Sequence, residues 1–239
     1  MGTVIFGGLP SSDFGIQVEH PPKYIMPERD YEQISVPGRN GDLFLDKGSY
    51  KNYDQPYDIA IADHDLPYYD LMNLVTTWLH PAPGYHRLED SYFPDHFRLA
   101  MFNSGVEFEN IMSHGGRATI SFNCKPQKYL KLGEKAVRYT AAGKIKNPTT
   151  QNARPILILK GSTGSGRFQI GEYVVSISNL RNNITINSEL QDAYWGTTNR
   201  NSDVTLSSLG FPMIVPGDND ISFSGSITSV EVTPRWWIV

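Results

Sequence analysis

The sequence predicts a mainly β chain in two domains. Residues 1–140 form a β-rich N-terminal domain with one α-helix, and residues 141–239 form an all-β sandwich or jelly roll. Three observations predict this. Aromatics make up 12% of the chain, and 21 Gly and 16 Pro punctuate short apolar runs, which is the texture of strands joined by turns. One segment alone places its apolar residues at the helical period. The composition then changes: residues 125–154 carry eight Lys or Arg against Glu134 alone, and Gly, Ala, Thr and Asn thicken between 141 and 152. The domain boundary is placed there, near residue 140.

The elements follow in order. Thr3–Phe6 is a short apolar strand ended by Gly7-Gly8-Leu9-Pro10. Phe14, Ile16 and Val18 alternate with Gly15, Gln17 and Glu19, the period of a half-buried strand. Pro21-Pro22 breaks it. Tyr31–Val36 and Leu43–Leu45 read as strands around Pro37-Gly38-Arg39-Asn40-Gly41-Asp42, where Pro-Gly and Asn-Gly both favour turns. Asp46-Lys47-Gly48 reads as a further turn, and Tyr53–Ile61 as a strand interrupted by Pro56. The helix starts after Asp65 as N-cap, with Pro67 in its first turn and Pro81 as its stop. Its apolar stripe is Tyr68, Leu71, Leu74, Val75, Trp78 and Leu79.

Strand texture returns at Tyr85–Asp90, Phe97–Phe102 and Ala118–Cys124, with His114-Gly115-Gly116 as a turn. In the second domain Pro155–Lys160, Phe168–Ile170, Tyr173–Ile177, Asn183–Asn187, Asp203–Leu206, Asp220–Ser224 and Ser229–Thr233 are strands. Gly161–Gly166 reads as a flexible hairpin loop between the first two. Strands so short and so closely spaced suggest a sandwich or jelly roll.

Composition and motifs exclude several functions. A net charge of −4 with 19% charged residues does not suit a generally basic nucleic-acid binder. No apolar run reaches the ~18 residues of a membrane span, and no signal peptide opens the chain, so it is expected to be made in a cytosol and to stay soluble. The single cysteine, Cys124, allows no intrachain disulfide. Gly161–Gly166 lacks the Lys-Ser/Thr pair and the following helix of a phosphate loop. The six histidines form no zinc motif, and Asp63-His64-Asp65 alone makes no metal site. Glu107 and Glu109 would share a strand face but lack a second geometry. No catalytic residue, cofactor or metal ligand is therefore assigned. Trp195, Trp236 and Trp237 are the binding candidates, since indole serves sugar stacking, interfaces or sandwich cores. Alternation puts Trp236 and Trp237 on opposite faces, one of them in the core.

Several strings together resemble the distal tail proteins of siphophages and their prophage relatives. They are Val36–Leu43, Phe122–Gln127, Asn147-Pro148-Thr149 with Ala153-Arg154-Pro155, Ile184–Tyr194, and Thr233-Pro234-Arg235-Trp236-Trp237. They keep their order along almost the whole chain. The resemblance implies an N-terminal split-barrel-like domain that forms a hexameric ring, and a C-terminal galectin-like β-sandwich that projects outwards. It implies a structural role and no enzyme activity. The ring joins the tail tube to the tail tip, and DNA passes through its channel unread. The implied partners are other copies of the chain, the tail tube protein, a tail-associated tip protein and, in some baseplates, a receptor-binding protein. The implied location is the virion tail tip, after assembly in the host cytoplasm.

Larger relatives insert carbohydrate-binding modules, for which this chain has no room. The alternative is a lectin-like sandwich that binds host cell-wall saccharide. Within the ring reading, Gly38, Arg39, Asn40, Gly41 and Asp42 are the expected contact. A tight exposed tip there would offer the rigid five-donor fork of Arg39 to a neighbour.

Overall fold

Alternating burial along the strands sets the architecture. The computed structural model describes residues 2–61, 67–112 and 115–239. The chain is mainly β and divides into two compact units, residues 1–128 with Val239, and residues 129–238.

The first unit contains β1 (Val4–Phe6), β2 (Leu9–Pro10), β3 (Ile16–Val18), β4 (Arg29–Ile34), β5 (Leu43–Tyr50), β6 (Tyr53–Ile61), α1 (Tyr68–Leu79), β7 (His86–Asp90), β8 (His96–Met101), β9 (Glu109–Met112) and most of β10 (Gly115–Leu130). One sheet runs β2-β1-β7-β8-β10-β6-β3. It curls until its ends meet: Gly2 N–H donates to Val18 O at 3.0 Å and Val18 N–H to Gly2 O at 2.9 Å. Gly2 leaves room there for the Tyr92 ring, which a Cβ would approach to 2.3 Å, so a larger residue would require Tyr92 to shift. The curl encloses Val4, Phe6, Ile16, Val18, Tyr57, Ile59, Leu88, Ile120, Phe122 and Cys124.

The helix α1 packs on this core through Leu71, Val75, Trp78 and Leu79. The Trp78 indole donates to Leu9 O at 3.1 Å and stacks on Phe14. Leu74, expected in the middle of the stripe, is instead 42% exposed. At 100° per residue it falls about 60° to one side of Leu71, whereas the buried residues lie within about 80° on the other side or nearly in line with it. The N-cap expected at Asp65 lies outside the described residues, and Tyr68 has no described side chain. Phe14 belongs to a short 3-10 turn, Ser11–Phe14, not to the strand expected around it.

The second unit takes in the end of β10, then β11 (Val137–Tyr139), β12 (Gly143–Asn147), β13 (Ile156–Ile170), β14 (Tyr173–Ile177), β15 (Asn183–Asn187), β16 (Asp192–Trp195), β17 (Thr198–Asn199), β18 (Val204–Leu206), β19 (Gly217–Thr233) and β20 (Trp237–Ile238). Strands β13 and β19 pair in two stretches, Ile156–Gly161 against Ile227–Thr233 and Gly166–Ile170 against Ile221–Gly225. The first half of β13 also pairs with β15, and its second half with β14. The two halves of β19 pair likewise with β12 and β11. Two long bent strands thus pass from one set of partners to another around a core that includes Leu157, Leu159, Phe168, Ile170, Ile184, Ile186, Val230 and Val232.

The bend corrects the expected loop at Gly161–Gly166. These residues lie within β13, where the register with β19 shifts. A Cβ on Gly161 would sit 1.8 Å from Ser226 O, and one on Gly225 2.6 Å from Ser165 O. The glycines serve close backbone approach between strands. The second compact unit begins at Tyr129, and its β11 pairs with Val230–Val232.

Candidate assembly arm and binding residues

Among the described residues, strands β4 and β5 pair only with each other. Their register sets Ile34 opposite Leu43, Gln33 opposite Phe44, Glu32 opposite Leu45 and Tyr31 opposite Asp46. One face of the ribbon therefore carries Ile34, Leu43 and Leu45, and the other carries Tyr31 and Phe44. All five are exposed, Phe44 at 64%. Tyr31 meets Phe44 edge-on, with ring centroids 5.9 Å apart. An isolated two-stranded ribbon is marginal in water, so this one needs its own fastening.

Arg29 supplies it. Its Nη2 and Nε donate to Asp46 Oδ2 at 2.7 and 3.0 Å, and its Nη1 donates to Tyr50 O–H at 3.2 Å. The guanidinium and the Gly48 N–H together hold the Asp46 carboxyl below its usual range. Asp46-Lys47-Gly48 is accordingly not a turn between strands. It is an irregularity inside β5, with Gly48 at φ +72° and its N–H donating to Asp46 Oδ1 at 2.8 Å.

The loop tip is built differently from expectation. The hydrogen-bonded turn is Val36–Arg39, where Arg39 N–H donates to Val36 O at 3.1 Å. Pro37 and Gly38, at φ +78°, fill the two central positions of a type II turn. Asn40-Gly41 follows as a bend outside that turn. Asp42 faces the Gln33 amide of the same ribbon. Arg39 is exposed and, among the described residues, its guanidinium has no hydrogen-bond or ion-pair partner. The structure thus presents Gly38, Arg39, Asn40, Gly41 and Asp42 together at the exposed end of an apolar arm.

The three tryptophans do not share a site. Trp195 is 50% exposed at the end of β16, opposite Thr198 across a turn at Gly196. Trp236 is buried in the second core. Its carbonyl accepts from Leu130 N–H at 2.8 Å, and a Cβ on Gly133 would lie 2.3 Å from its nitrogen. Trp237 is half-buried, with Nε1 donating to Asn152 O at 2.9 Å.

A buried polar group in the first unit was not singled out in the sequence. The Asp90 and Arg98 side chains are 0% and 3% exposed, with Oδ2 and Nη1 3.0 Å apart. Tyr57 O–H donates to Asp90 Oδ2, and Arg98 Nε donates to the Tyr53 hydroxyl. Nearby, Lys128 donates to Ile25 O at 2.9 Å and lies over the Tyr24 ring. Burial, and next the Arg98 charge, pull Lys128 down to about 8. Burial pushes the Cys124 thiol up to about 12. The available signal was a charge flanked by Phe97 and Leu99 in an apolar strand.

The other candidates stay apart. Glu107 precedes β9, so the two glutamates share no strand, and the side chain of Glu109 lies outside the described residues. Asp63, His64, Asp65 and His114 also lie outside them. Among the described residues no three His, Cys, Asp or Glu gather to hold a metal ion, and no helix is long and apolar enough to cross a membrane.

No protein-family model and no curated protein matches the chain. A solved structure does. It is the SPP1 Dit protein, described as a paradigm of the hub adsorption apparatus in phages that infect Gram-positive bacteria. The two agree with a TM-score of 0.77 over 100% of both chains, at 13% sequence identity. The chain has the fold of that hub protein. An identity so low makes this a statement about fold, and both units are included in it.

Proposed function

We propose that the chain is a structural subunit of a phage tail tip, a member of the distal tail proteins that link the tail tube to the host-adsorption apparatus. The carrying observation is the full-length correspondence with the SPP1 hub protein. In this reading the first unit forms a hexameric ring and the second, a galectin-like sandwich, projects from it to hold a receptor-binding protein. The ring also meets a tail-associated tip protein on the side away from the tube. DNA passes through the channel without sequence recognition. The chain works in the virion tail after assembly in the host cytoplasm, and performs no catalysis.

The arm supports the ring. Apolar residues on both faces of a free ribbon need cover, and a patch of this kind marks an interaction site. Contacts between unlike surfaces of identical copies close into a ring when the rotation closes. Arg39 at the tip suits carboxylates or carbonyls of the next copy.

The test is the mass of the full chain in solution, by light scattering, for wild type, Arg39→Glu and Phe44→Asp. The reading expects a six-copy species that both variants weaken or abolish while keeping a native circular dichroism spectrum. Unchanged assembly in both variants would remove the arm from the interface. The exposed Trp195 favours a second reading, saccharide binding by the sandwich, which a glycan array with Trp195→Ala as control decides.

A further inference from the structure

The arm carries one reactive element that an assembly role does not use. Asn40 precedes Gly41, and this is the one Asn-Gly pair in the sequence. Both residues are exposed, in the loop between the Ile34–Leu43 pair and the Val36–Arg39 turn. Among the described residues, neither the Asn40 side-chain amide nor the Gly41 N–H has a hydrogen-bond partner. Gly41 sits at φ +80° with nothing within 4 Å of where a Cβ would be. Imide closure needs a backbone nitrogen that can reach the preceding Cγ, and a chain free to rotate into the ring. An unshielded glycine in open space meets both conditions.

Asn147, Asn187, Asn201 and Asn219 are held by hydrogen bonds. Asn147 is buried, donates to Gln151 O and Ile214 O, and precedes Pro148, which has no N–H. Asn187 Oδ1 accepts from the Glu189 and Leu190 N–H groups. Asn201 Oδ1 accepts from Ala193 N–H at 2.7 Å, and Asn219 Nδ2 donates to Val215 O at 2.8 Å.

We propose that Asn40 is a site of spontaneous modification, converting through a succinimide to aspartate and isoaspartate. The Gly41 nitrogen gives up its proton and attacks Asn40 Cγ. The new N–Cγ bond forms, the Cγ–Nδ2 bond breaks, and ammonia leaves with the proton that Gly41 released. Water then opens the ring. Attack at Cγ gives aspartate. Attack at the backbone carbonyl gives isoaspartate, in which the main chain runs through the side-chain carbon. Water is the only co-reactant, and nothing is oxidised or reduced.

Either product adds a negative charge two residues from Asp42 and next to Arg39. Isoaspartate also lengthens the backbone at the tip by one methylene. A free subunit therefore loses its original tip chemistry with age. That this affects assembly rests on the ring reading; the modification itself does not.

The experiment holds the purified full chain in mildly alkaline and mildly acidic buffer. It follows the tryptic peptide Asn40–Lys47 by chromatography with mass spectrometry, and isoaspartate by enzymatic methyl transfer. The expected result is loss of the parent peptide to two products of the mass that replaces –NH2 by –OH, isoaspartate the larger, faster in alkali. Peptides carrying Asn187 and Asn201 stay unchanged, and Asn40→Gln loses the isoaspartate signal. A parent peptide that persists in the folded chain, while the same chain in urea converts, would overturn the proposal. Conversion in the free chain that is equally fast in the assembled particle would leave the site standing and remove the tip from the ring contact.

Discussion

Replacing Asp90 by alanine should unsettle the first unit more than any surface change. Asp90 Oδ1 accepts from the N–H groups of Tyr92 and Phe93 at 3.0 and 2.9 Å. Its Oδ2 accepts from Tyr57 O–H at 3.1 Å and from Arg98 Nη1 at 3.0 Å. Alanine removes all four acceptor contacts and leaves Arg98 buried, with the Tyr53 hydroxyl as its remaining hydrogen-bond partner among the described residues. An uncompensated buried charge of this kind costs about 3–5 kcal/mol, a large share of the ~5–15 kcal/mol that holds a typical domain. The assay is hydrogen exchange of the full chain in increasing urea, read separately on peptides of β7, β8 and β10 and on peptides of β13 and β19. The first set should lose protection at much lower urea in Asp90→Ala, and the second set should stay near wild type. The double variant Asp90→Leu/Arg98→Met, with neither charge left, should recover part of the loss. A shift under about 1 kcal/mol on the first set would refute the reasoning, since exposed pairs are worth no more than that.

Three further outcomes follow from packing and protonation. Val75→Asp should destabilise the first unit by several kcal/mol, whereas Leu74→Asp should change its melting temperature little, because Val75 is buried and Leu74 is not. Gly161→Ala should destabilise the second unit alone by about 1–3 kcal/mol or more, since the atom it meets is backbone and cannot move aside; urea midpoints by unit check this. Lys128 releases its proton at about 8 in the folded chain and near 10.5 unfolded. Between those values the unfolded chain binds more protons, so this group makes stability rise with pH. Cys124, held protonated up to about 12, acts in the opposite direction above its ordinary 9. Relative to Lys128→Met, wild type should therefore gain stability from pH 8 to 10, and a constant difference would contradict the assignment.

Much of the fold was legible because burial alternates. The strand at Tyr53–Ile61 has the bounds expected and its odd residues are buried, but it runs through Pro56 without the expected interruption. The helix was legible for the same kind of reason, but Leu74 shows the limit: a stripe has edges, and spacing alone does not say which edge the core covers. The glycine tract at 161–166 misled because glycine serves both turns and close strand contacts, and only the partner strand with Ser226 distinguishes them. Asp46-Lys47-Gly48 misled likewise, its aspartate being fixed by Arg29 from the paired strand. The Asp90–Arg98 pair was invisible because eight residues and a strand turn separate two charges that folding brings together. The arm was legible as a hairpin from Pro37-Gly38. Its isolation from other strands was not, since sequence does not reveal which strands lack a further neighbour.

The central claim is a ring built by the first unit. Electron microscopy of the assembled particle tests it most directly. The account predicts a six-fold ring around an open channel, with residues 29–50 of each copy lying against the next and the second unit outside. A particle without that symmetry, or a ring held together by residues 129–238, would contradict it.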